Sequence, residues 1–272
     1  MTPADIEVIR PPAGRRFRFV LFDFDGTLSL LREGWQGIMI PMMVEVLEPV
    51  ATGLDRAALA RLAAEDIDTT TGLPTIHQMR RLAERVGEFG GSPDDPKTYK
   101  AVYLRRLLDH IRGRRDALAA GEVGPDAMLL AGARPMLDAL AERSLVLCLA
   151  SGTDEPDVHD EARLLGIDRY FGPHIYGARD DAGASSKRTV IGRMLAENRI
   201  AGHDLLVFGD GFVEIADGKQ AGGYAVAVAS DEAAGGGHIN AWKRDRLLRA
   251  GADMVIADFT CRDDLLRLLF DA

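Results

Sequence analysis

Short apolar runs alternate with segments of helical periodicity over most of this chain, and this alternation limits the fold more than any other feature. Each run is rich in aliphatic or aromatic side chains, and all but the last stop at a glycine or polar residue, as buried strands do. The runs cover residues 17–22, 145–150, 205–208, 224–229 and 253–256, and helical patterns cover residues 136–142, 156–165, 187–198 and 213–221. The alternation predicts an α/β fold with a parallel sheet and helices on both faces.

Residues 30–130 follow a different pattern. They contain no convincing strand, only helical periodicity interrupted by glycine and proline, as at Gly53 and Pro74. We therefore predict two domains: an α/β core formed by residues 1–29 and 131–272, and an all-helical domain of residues 30–130 inserted after the first strand.

The composition fits a soluble globular protein of 272 residues, with 47% hydrophobic and 28% charged residues. No apolar stretch approaches the roughly 18 residues that a membrane helix needs, and residues 1–16 lack the apolar segment of a secretion signal. The two cysteines, Cys148 and Cys261, cannot make a disulfide framework. These features predict a cytoplasmic protein without a membrane partner, and both a monomer and a homodimer are compatible with them.

The net charge of −9 argues against a nucleic-acid partner, which usually requires a basic face. An anionic substrate would have to be captured by local positive groups. The six histidines show no metal-ligand spacing such as His-x-x-x-His.

Carboxylates follow two of the predicted strands at the points where the strands end. Asp23 and Asp25 end the first run and, two residues apart, can project to the same side of an extended chain. Such close carboxylates repel each other unless a cation lies among them. Asp210 ends another run, with Glu214 four residues on. Because Mg²⁺ prefers hard oxygen ligands, Asp23, a backbone carbonyl near Asp25, and Asp210 predict a magnesium site.

A turn and a lysine farther along the chain are suited to phosphate. Ser151, Gly152 and Thr153 follow the run 145–150 and can offer a hydroxyl and backbone N–H groups to phosphate oxygens. Lys187 opens a helical pattern and is a natural counter-charge for a nucleophile and a phosphate. In isolation, either feature would be ordinary turn chemistry or surface charge.

The six residues from Asp23 to Leu28, Asp-Phe-Asp-Gly-Thr-Leu, resemble the nucleophile motif of the haloacid dehalogenase superfamily. The other three motifs follow in the family's order: Ser151 after a strand, Lys187 at a helix start, and Asp210 between two glycines. The resemblance covers about residues 17 to 260 and implies a Rossmann-like core. The first motif is specific, whereas the others gain weight from their order.

The resemblance implies roles for these residues. Asp23 would attack phosphorus to form an aspartyl-phosphate, and Asp25 would act as general acid and then as general base. Mg²⁺ would be held by Asp23, the carbonyl of Asp25, and Asp210, with Glu214 binding it directly or through water. The phosphoryl oxygens would be bound by Thr27, Ser151, Gly152 and Lys187.

The position of the insertion resembles that of the family's helical cap. About a hundred residues separate the first motif from the next core strand, and only about 35 separate Ser151 from Lys187. The family's larger α/β cap would need room at that second place. A cap that closes over the site excludes water and suits a small diffusible substrate.

The expected activity is that of a magnesium-dependent phosphatase for a small metabolite of the sugar phosphate, phosphoglycolate or nucleotide type. A dehalogenase would not need Asp25, and a phosphonatase would need a cap lysine that Lys97 and Lys100 supply poorly. A sugar-phosphate mutase remains the alternative. A non-catalytic binding domain would be expected to have lost at least one key residue, and all are present.

Residues just beyond the first motif are candidates for substrate specificity. Arg32, Glu33 or Trp35 lies where the chain enters the cap and could contact the leaving group. The competing interpretation is that Trp35 packs in the cap core. Residues 69–72 form a second candidate loop.

Overall fold

The computed structural model describes residues 6–179, 187–197, 201–231 and 237–271. Within them, seven strands form one sheet in the order β1-β7-β6-β5-β2-β3-β4. Neighbouring strands are parallel except for β1, which pairs antiparallel with β7. The strands are β1 (Ile6–Val8), β2 (Phe19–Phe22), β3 (Val146–Asp154), β4 (Ile175–Ala178), β5 (Leu205–Gly209), β6 (Tyr224–Val228) and β7 (Met254–Ile256). The α/β class is confirmed, and β1 and β4 are strands that the sequence analysis missed.

The central strand β2 is buried on both sides, which explains its unbroken apolar sequence. Alternate side chains of a strand point to opposite faces of the sheet. Phe22 stacks on Phe208 of β5 on one face, with ring centroids 4.9 Å apart. Phe19 and Leu21 join a separate apolar cluster on the other face.

Helices cover both faces of the sheet, as predicted. Residues of α5, α6 and α11 belong to the apolar cluster on one face, and those of α8, α9 and α10 to the clusters on the other. The core helices are α5 (Ala133–Glu142), α6 (Glu155–Leu164), α7 (Asp168–Phe171), α8 (Lys187–Glu197), α9 (Phe212–Gln220), α10 (Ala241–Arg249) and α11 (Arg262–Phe270). Among the described residues, no helix combines the length and the apolar character that crossing a bilayer requires.

Four further helices lie between β2 and α5: α1 (Gln36–Leu47), α2 (Arg56–Thr70), α3 (Thr75–Glu88) and α4 (Pro96–Ala119). We call this helical segment the cap. The two chain segments that join it to the sheet run side by side, because Leu30 N–H donates to Met128 O and Leu130 N–H to Leu28 O, both at 2.9 Å. The chain therefore enters and leaves the cap beside residues 30 and 130, which are the expected boundaries. That the two parts are separate domains stays a prediction.

Candidate functional site

The carboxyl ends of three adjacent parallel strands bring the sequence motifs together. Phe22 of β2 pairs in register with Leu149 of β3 and with Phe208 of β5. The backbone N–H of Asp23 donates to Phe208 O at 2.9 Å, and the residue is only 7% exposed. The nucleophile motif therefore lies at the sheet edge where ligands of open α/β folds bind.

Three carboxylates form a compact acidic cluster at this edge. Asp23, Asp210 and Glu214 each offer an oxygen, and these oxygens all lie within 4.8 Å of one another. Oxygen ligands on opposite sides of Mg²⁺ lie about 4 Å apart. The cluster could therefore hold a metal ion, and its carboxylate oxygens are the ligand type that Mg²⁺ prefers. Gly26 contributes by lacking a side chain, since a Cβ there would lie 2.3 Å from Asp210 Oδ2.

Glu214 has a structural task as well. It is 1% exposed, and its Oε1 accepts a hydrogen bond from the backbone N–H of Gly211, which precedes the first residue of α9. A Cβ at Gly209 would lie 2.2 Å from Glu214 Cγ, so the glycine leaves room for this folded-back side chain. The sequence predicted Glu214 as an acidic residue near the metal, but it did not predict this hydrogen bond at the start of the helix.

Asp25 is held by two hydroxyls from the end of β3. Its Oδ2 accepts from Thr153 Oγ1 at 2.8 Å and from Ser151 Oγ at 3.3 Å. Its Oδ1 is sealed from solvent and has no hydrogen-bond partner among the described residues. Two hydroxyl donors therefore fix the orientation of the Asp25 carboxyl group through its Oδ2. Thr153 as a partner of Asp25 was not foreseen.

Two of the residues expected to bind phosphate, Thr27 and Lys187, are not seen in that role. Thr27 contacts another side chain, and the side chain of Lys187 is not described. The Thr27 side chain is fully buried and donates to Asp210 Oδ1 at 3.2 Å, which orients an expected metal ligand. Lys187 begins α8, and its side chain lies outside the described part of the chain. Contact of either residue with phosphate stays a prediction.

The cap reaches directly onto the sheet edge. A Cβ at Gly152 would lie 2.7 Å from the backbone oxygen of Leu73, and a Cβ at Gly72 would lie 3.0 Å from Glu214 Oε2. Thr71, Gly72 and Leu73, which connect α2 to α3, therefore lie over the motifs. We call residues 71–73 the cap loop. Two of them belong to the candidate loop 69–72 of the sequence analysis.

A cavity of about 180 Å³ lies between the cap and the sheet edge. Asp23, Asp25, Ser151 and Asp210 line its floor, together with side chains from the cap. The proposed specificity residues Arg32, Glu33 and Trp35 also line it. Trp35 also packs against the apolar core. It therefore has both of the surroundings considered for it, the cavity and the core.

Arg32 is already held by the core domain. Its guanidinium makes bonds of 2.8 to 3.2 Å to Glu161, which is fully buried on α6, and a bond of 3.2 Å to Asp157. Burial alone would lower the pKa of Arg32, but the charge of Glu161 and its hydrogen bonds raise that pKa above the ordinary value. Burial raises the pKa of Glu161 above its ordinary value, although the charge of Arg32 and its hydrogen bonds lower it. Arg32 therefore fastens the cap entrance to the core.

Helix α10 contributes a wall of the cavity that the sequence analysis missed. Trp242, Lys243 and Arg246 line the cavity on this side. Lys243 Nζ lies 3.4 Å from Asp210 Oδ2, and Arg246 donates to the backbone oxygen of Asp68 in the cap. Only the position of α10 after β6 could have suggested this, because no local motif marks these residues.

Comparison with known proteins points to one family. A family model described as a hydrolase, haloacid dehalogenase-like hydrolase, matches residues 17–222. No curated protein gives a significant match to this chain.

Solved structures similar to this one share its fold at low sequence identity. A predicted phosphoglycolate phosphatase of Haemophilus somnus 129PT has a TM-score of 0.59 at 17% identity, covering 92% of this chain and 97% of its own. A protein of Bacteroides vulgatus, provisionally described as a beta-phosphoglucomutase, has a TM-score of 0.57 at 16% identity, covering 95% and 92%. A HAD family hydrolase of Deinococcus radiodurans R1, solved with bound phosphate and sodium, has a TM-score of 0.51 at 20% identity, covering 93% and 97%.

Proposed function

The chain belongs to the haloacid dehalogenase-like hydrolase family, and from this premise we propose that it is a magnesium-dependent phosphatase of a small phosphorylated metabolite. The observation that carries the proposal is the acidic cluster that includes Asp23, with Asp25 fixed two residues away. The cluster supplies a cation site next to a carboxylate, and Asp25 supplies a proton donor. Both assist cleavage at phosphorus, since a cation neutralises charge on the phosphoryl oxygens and an acid protonates the leaving oxygen.

In the first step, a carboxylate oxygen of Asp23 attacks phosphorus and the bond from phosphorus to the ester oxygen breaks. The leaving oxygen takes a proton from Asp25, which makes the departing group a neutral alcohol. The product on the protein is an aspartyl-phosphate on Asp23. Ser151 and Thr153 orient Asp25 for this transfer by donating hydrogen bonds to its Oδ2.

In the second step, a water molecule attacks the phosphorus of the aspartyl-phosphate. Asp25, now a carboxylate, takes a proton from that water, and the bond between phosphorus and the Asp23 oxygen breaks. Inorganic phosphate leaves and both aspartates return to their starting state. The cap loop over the site limits access of other water to the intermediate.

The magnesium ion would be held by Asp23, Asp210 and the carbonyl of Asp25, with Glu214 as a direct or water-mediated partner. When bound, it neutralises charge on the phosphoryl oxygens and lowers the repulsion between phosphate and the carboxylates. Thr27 keeps Asp210 oriented by its hydrogen bond. Ser151, Gly152 and Lys187 are the proposed phosphate contacts from the protein.

The direct test is phosphate release from p-nitrophenyl phosphate and from acetyl phosphate, with Mg²⁺ and with EDTA. We expect turnover with Mg²⁺ that is lost in EDTA and restored by excess metal. Absence of metal-dependent turnover on these compounds and on a metabolite panel would refute the proposal. A non-catalytic binding domain would then be the better interpretation.

A sugar-phosphate mutase would use the same first step but would need a second phosphate site. The three cationic side chains that line the cavity among the described residues, Arg32, Lys243 and Arg246, each contact acidic or carbonyl oxygens of the protein itself. This favours hydrolysis over the mutase alternative.

For the cellular location, we propose a reducing cytoplasm, since Cys148 and Cys261 are both buried as thiols.

A further inference from the structure

Two cap side chains present polar groups to the cavity and have no hydrogen-bond partner in the described part of the chain. Gln78 on α3 is 5% exposed and Tyr103 on α4 is 4% exposed, and both line the cavity. Within the described residues, neither the Gln78 amide nor the Tyr103 hydroxyl makes a hydrogen bond. Buried polar groups without partners are rare because each costs free energy.

These two polar ends are not sealed inside the protein. Among the described residues, Asp25 Oδ1 is the one side-chain oxygen or nitrogen that is both sealed and without a hydrogen bond. The amide and the hydroxyl therefore touch the open space of the cavity. A ligand in that space could satisfy both.

The Tyr103 hydroxyl lies near the chemistry. Burial raises its pKa above the ordinary value, and the charges of Arg32 and Asp25 are close enough to affect it in opposite senses. The hydroxyl is therefore protonated near neutral pH and can donate as well as accept. Tyr103 and Asp25 line the same cavity, and because Asp25 is the proposed donor to the leaving oxygen, the leaving group would occupy the space that both residues line.

We propose that Gln78 and Tyr103 are specificity-determining residues that hydrogen-bond a leaving group rich in hydroxyls, so that the substrate is a sugar or polyol phosphate. This inference rests on the proposed phosphatase function. An amide that both donates and accepts, beside a phenol, matches hydroxyl groups close to the ester oxygen. A nucleotide's base heteroatoms lie farther out, and an alkyl group would leave both polar ends unsatisfied.

The test compares matched pairs of esters that differ only in hydroxyls: glycerol 3-phosphate with propyl phosphate, and erythritol 4-phosphate with butyl phosphate. We expect kcat/KM to be at least about a hundredfold higher for the hydroxylated member in the wild type, since unpaired polar groups discriminate strongly. Gln78→Leu and Tyr103→Phe should each reduce this ratio about tenfold or more. Because the readout is a ratio within one protein, a partial loss of folded enzyme cancels.

Tyr99→Phe is the matched control. Tyr99 lies one turn before Tyr103 on α4, is also buried, and accepts a hydrogen bond from Asp94 N–H at 2.9 Å without lining the cavity. In Tyr99→Phe, the ratio of kcat/KM between the hydroxylated and the alkyl ester should equal that of the wild type. Equal kcat/KM for both members of each pair, or unchanged ratios in Gln78→Leu and Tyr103→Phe, would overturn the inference.

Binding separates this inference from the proposed function. The protein has two tryptophans, Trp35 and Trp242, and both line the cavity, so their fluorescence reports a bound ester. In an Asp23→Asn variant, we expect glycerol 3-phosphate and erythritol 4-phosphate to change the fluorescence at concentrations at least tenfold lower than their alkyl partners. If the esters bind selectively but the wild type shows no turnover, the phosphatase function is refuted and the inference about Gln78 and Tyr103 is kept. If the wild type shows turnover without selectivity, the phosphatase function is kept and the inference is refuted.

Discussion

Closure of the cap onto Ser151–Thr153 can be tested by adding a single methyl group at Gly152. In Gly152→Ala, the new Cβ would lie 2.7 Å from the backbone oxygen of Leu73 in the cap loop. Carbon and carbonyl oxygen atoms normally approach no closer than about 3.3–3.6 Å. The cap loop would therefore have to retreat by roughly 0.6–0.9 Å, since the obstructing atom is backbone.

A displacement of that size matters because the cap loop lines the cavity where the leaving group would bind. A misplacement of about 1 Å can cost about a hundredfold in rate. We therefore expect kcat/KM for the best hydroxylated ester to fall about 10- to 100-fold. The free energy of unfolding should change by less than about 1 kcal/mol, because slight opening of the cap relieves the clash and Gly152 has no left-handed backbone to strain.

The assay is steady-state kinetics with Mg²⁺, paired with urea denaturation. Gly124→Ala is the control, because its Cβ would meet nothing within 4 Å and its φ of −69° suits any residue. Inhibition by inorganic phosphate should persist in Gly152→Ala if only the cap loop has moved. A kcat/KM within twofold of the wild type would show that the cap loop does not occupy this position during turnover, and the reasoning would fail.

The other predictions concern the acidic residues and the buried ion pair. Asp23→Asn, at nearly constant volume, should abolish turnover while the urea midpoint stays near that of the wild type; residual turnover above a thousandth would contradict a nucleophilic role. Asp25→Asn should slow both steps, and mass spectrometry should detect a protein-bound phosphate if the second step becomes the slower one. Asp210→Asn should raise the Mg²⁺ concentration for half-maximal activity at least about tenfold, and an unchanged requirement would remove it from the metal site. Arg32→Met should lower the free energy of unfolding by about 2 kcal/mol, because Glu161 loses its buried partner and keeps only Arg115, at 2.9 Å; a loss below about 1 kcal/mol would show that Glu161 does not depend on Arg32.

The positions of the core motifs could be predicted because they follow from local pattern and one topological rule. Asp23, Ser151 and Asp210 each follow an apolar run, and adjacent parallel strands bring such positions to one edge. Strand periodicity predicted each strand end, whereas the roles of these residues came from the family resemblance. The order β5-β2-β3 in the sheet places the three strand ends next to one another.

The two edge strands could not be predicted because neither has a distinctive sequence. β1 (Ile6–Val8) has three residues, and its pairing with β7 joins segments about 250 positions apart. β4 (Ile175–Ala178) contains Gly177, which usually indicates a turn or a weak strand. In the structure, a Cβ at Gly177 would lie 2.2 Å from Glu155 Cα, so the glycine permits the start of α6 to pack on the strand.

The cap residues show why specificity is harder to predict than chemistry. Arg32, Glu33 or Trp35 was predicted to contact the leaving group, and this stays a prediction. Arg32 lines the cavity, but only tertiary packing could show that its guanidinium is bound to Glu161 on another element. Gln78 lies among the apolar residues of α3 and looks like an ordinary polar position in a helix. It becomes informative only once its burial and its lack of a partner among the described residues are known. Catalytic residues are constrained to strand ends and can be found by position, whereas cap residues that select a substrate are recognised by an unsatisfied group that the protein alone does not explain.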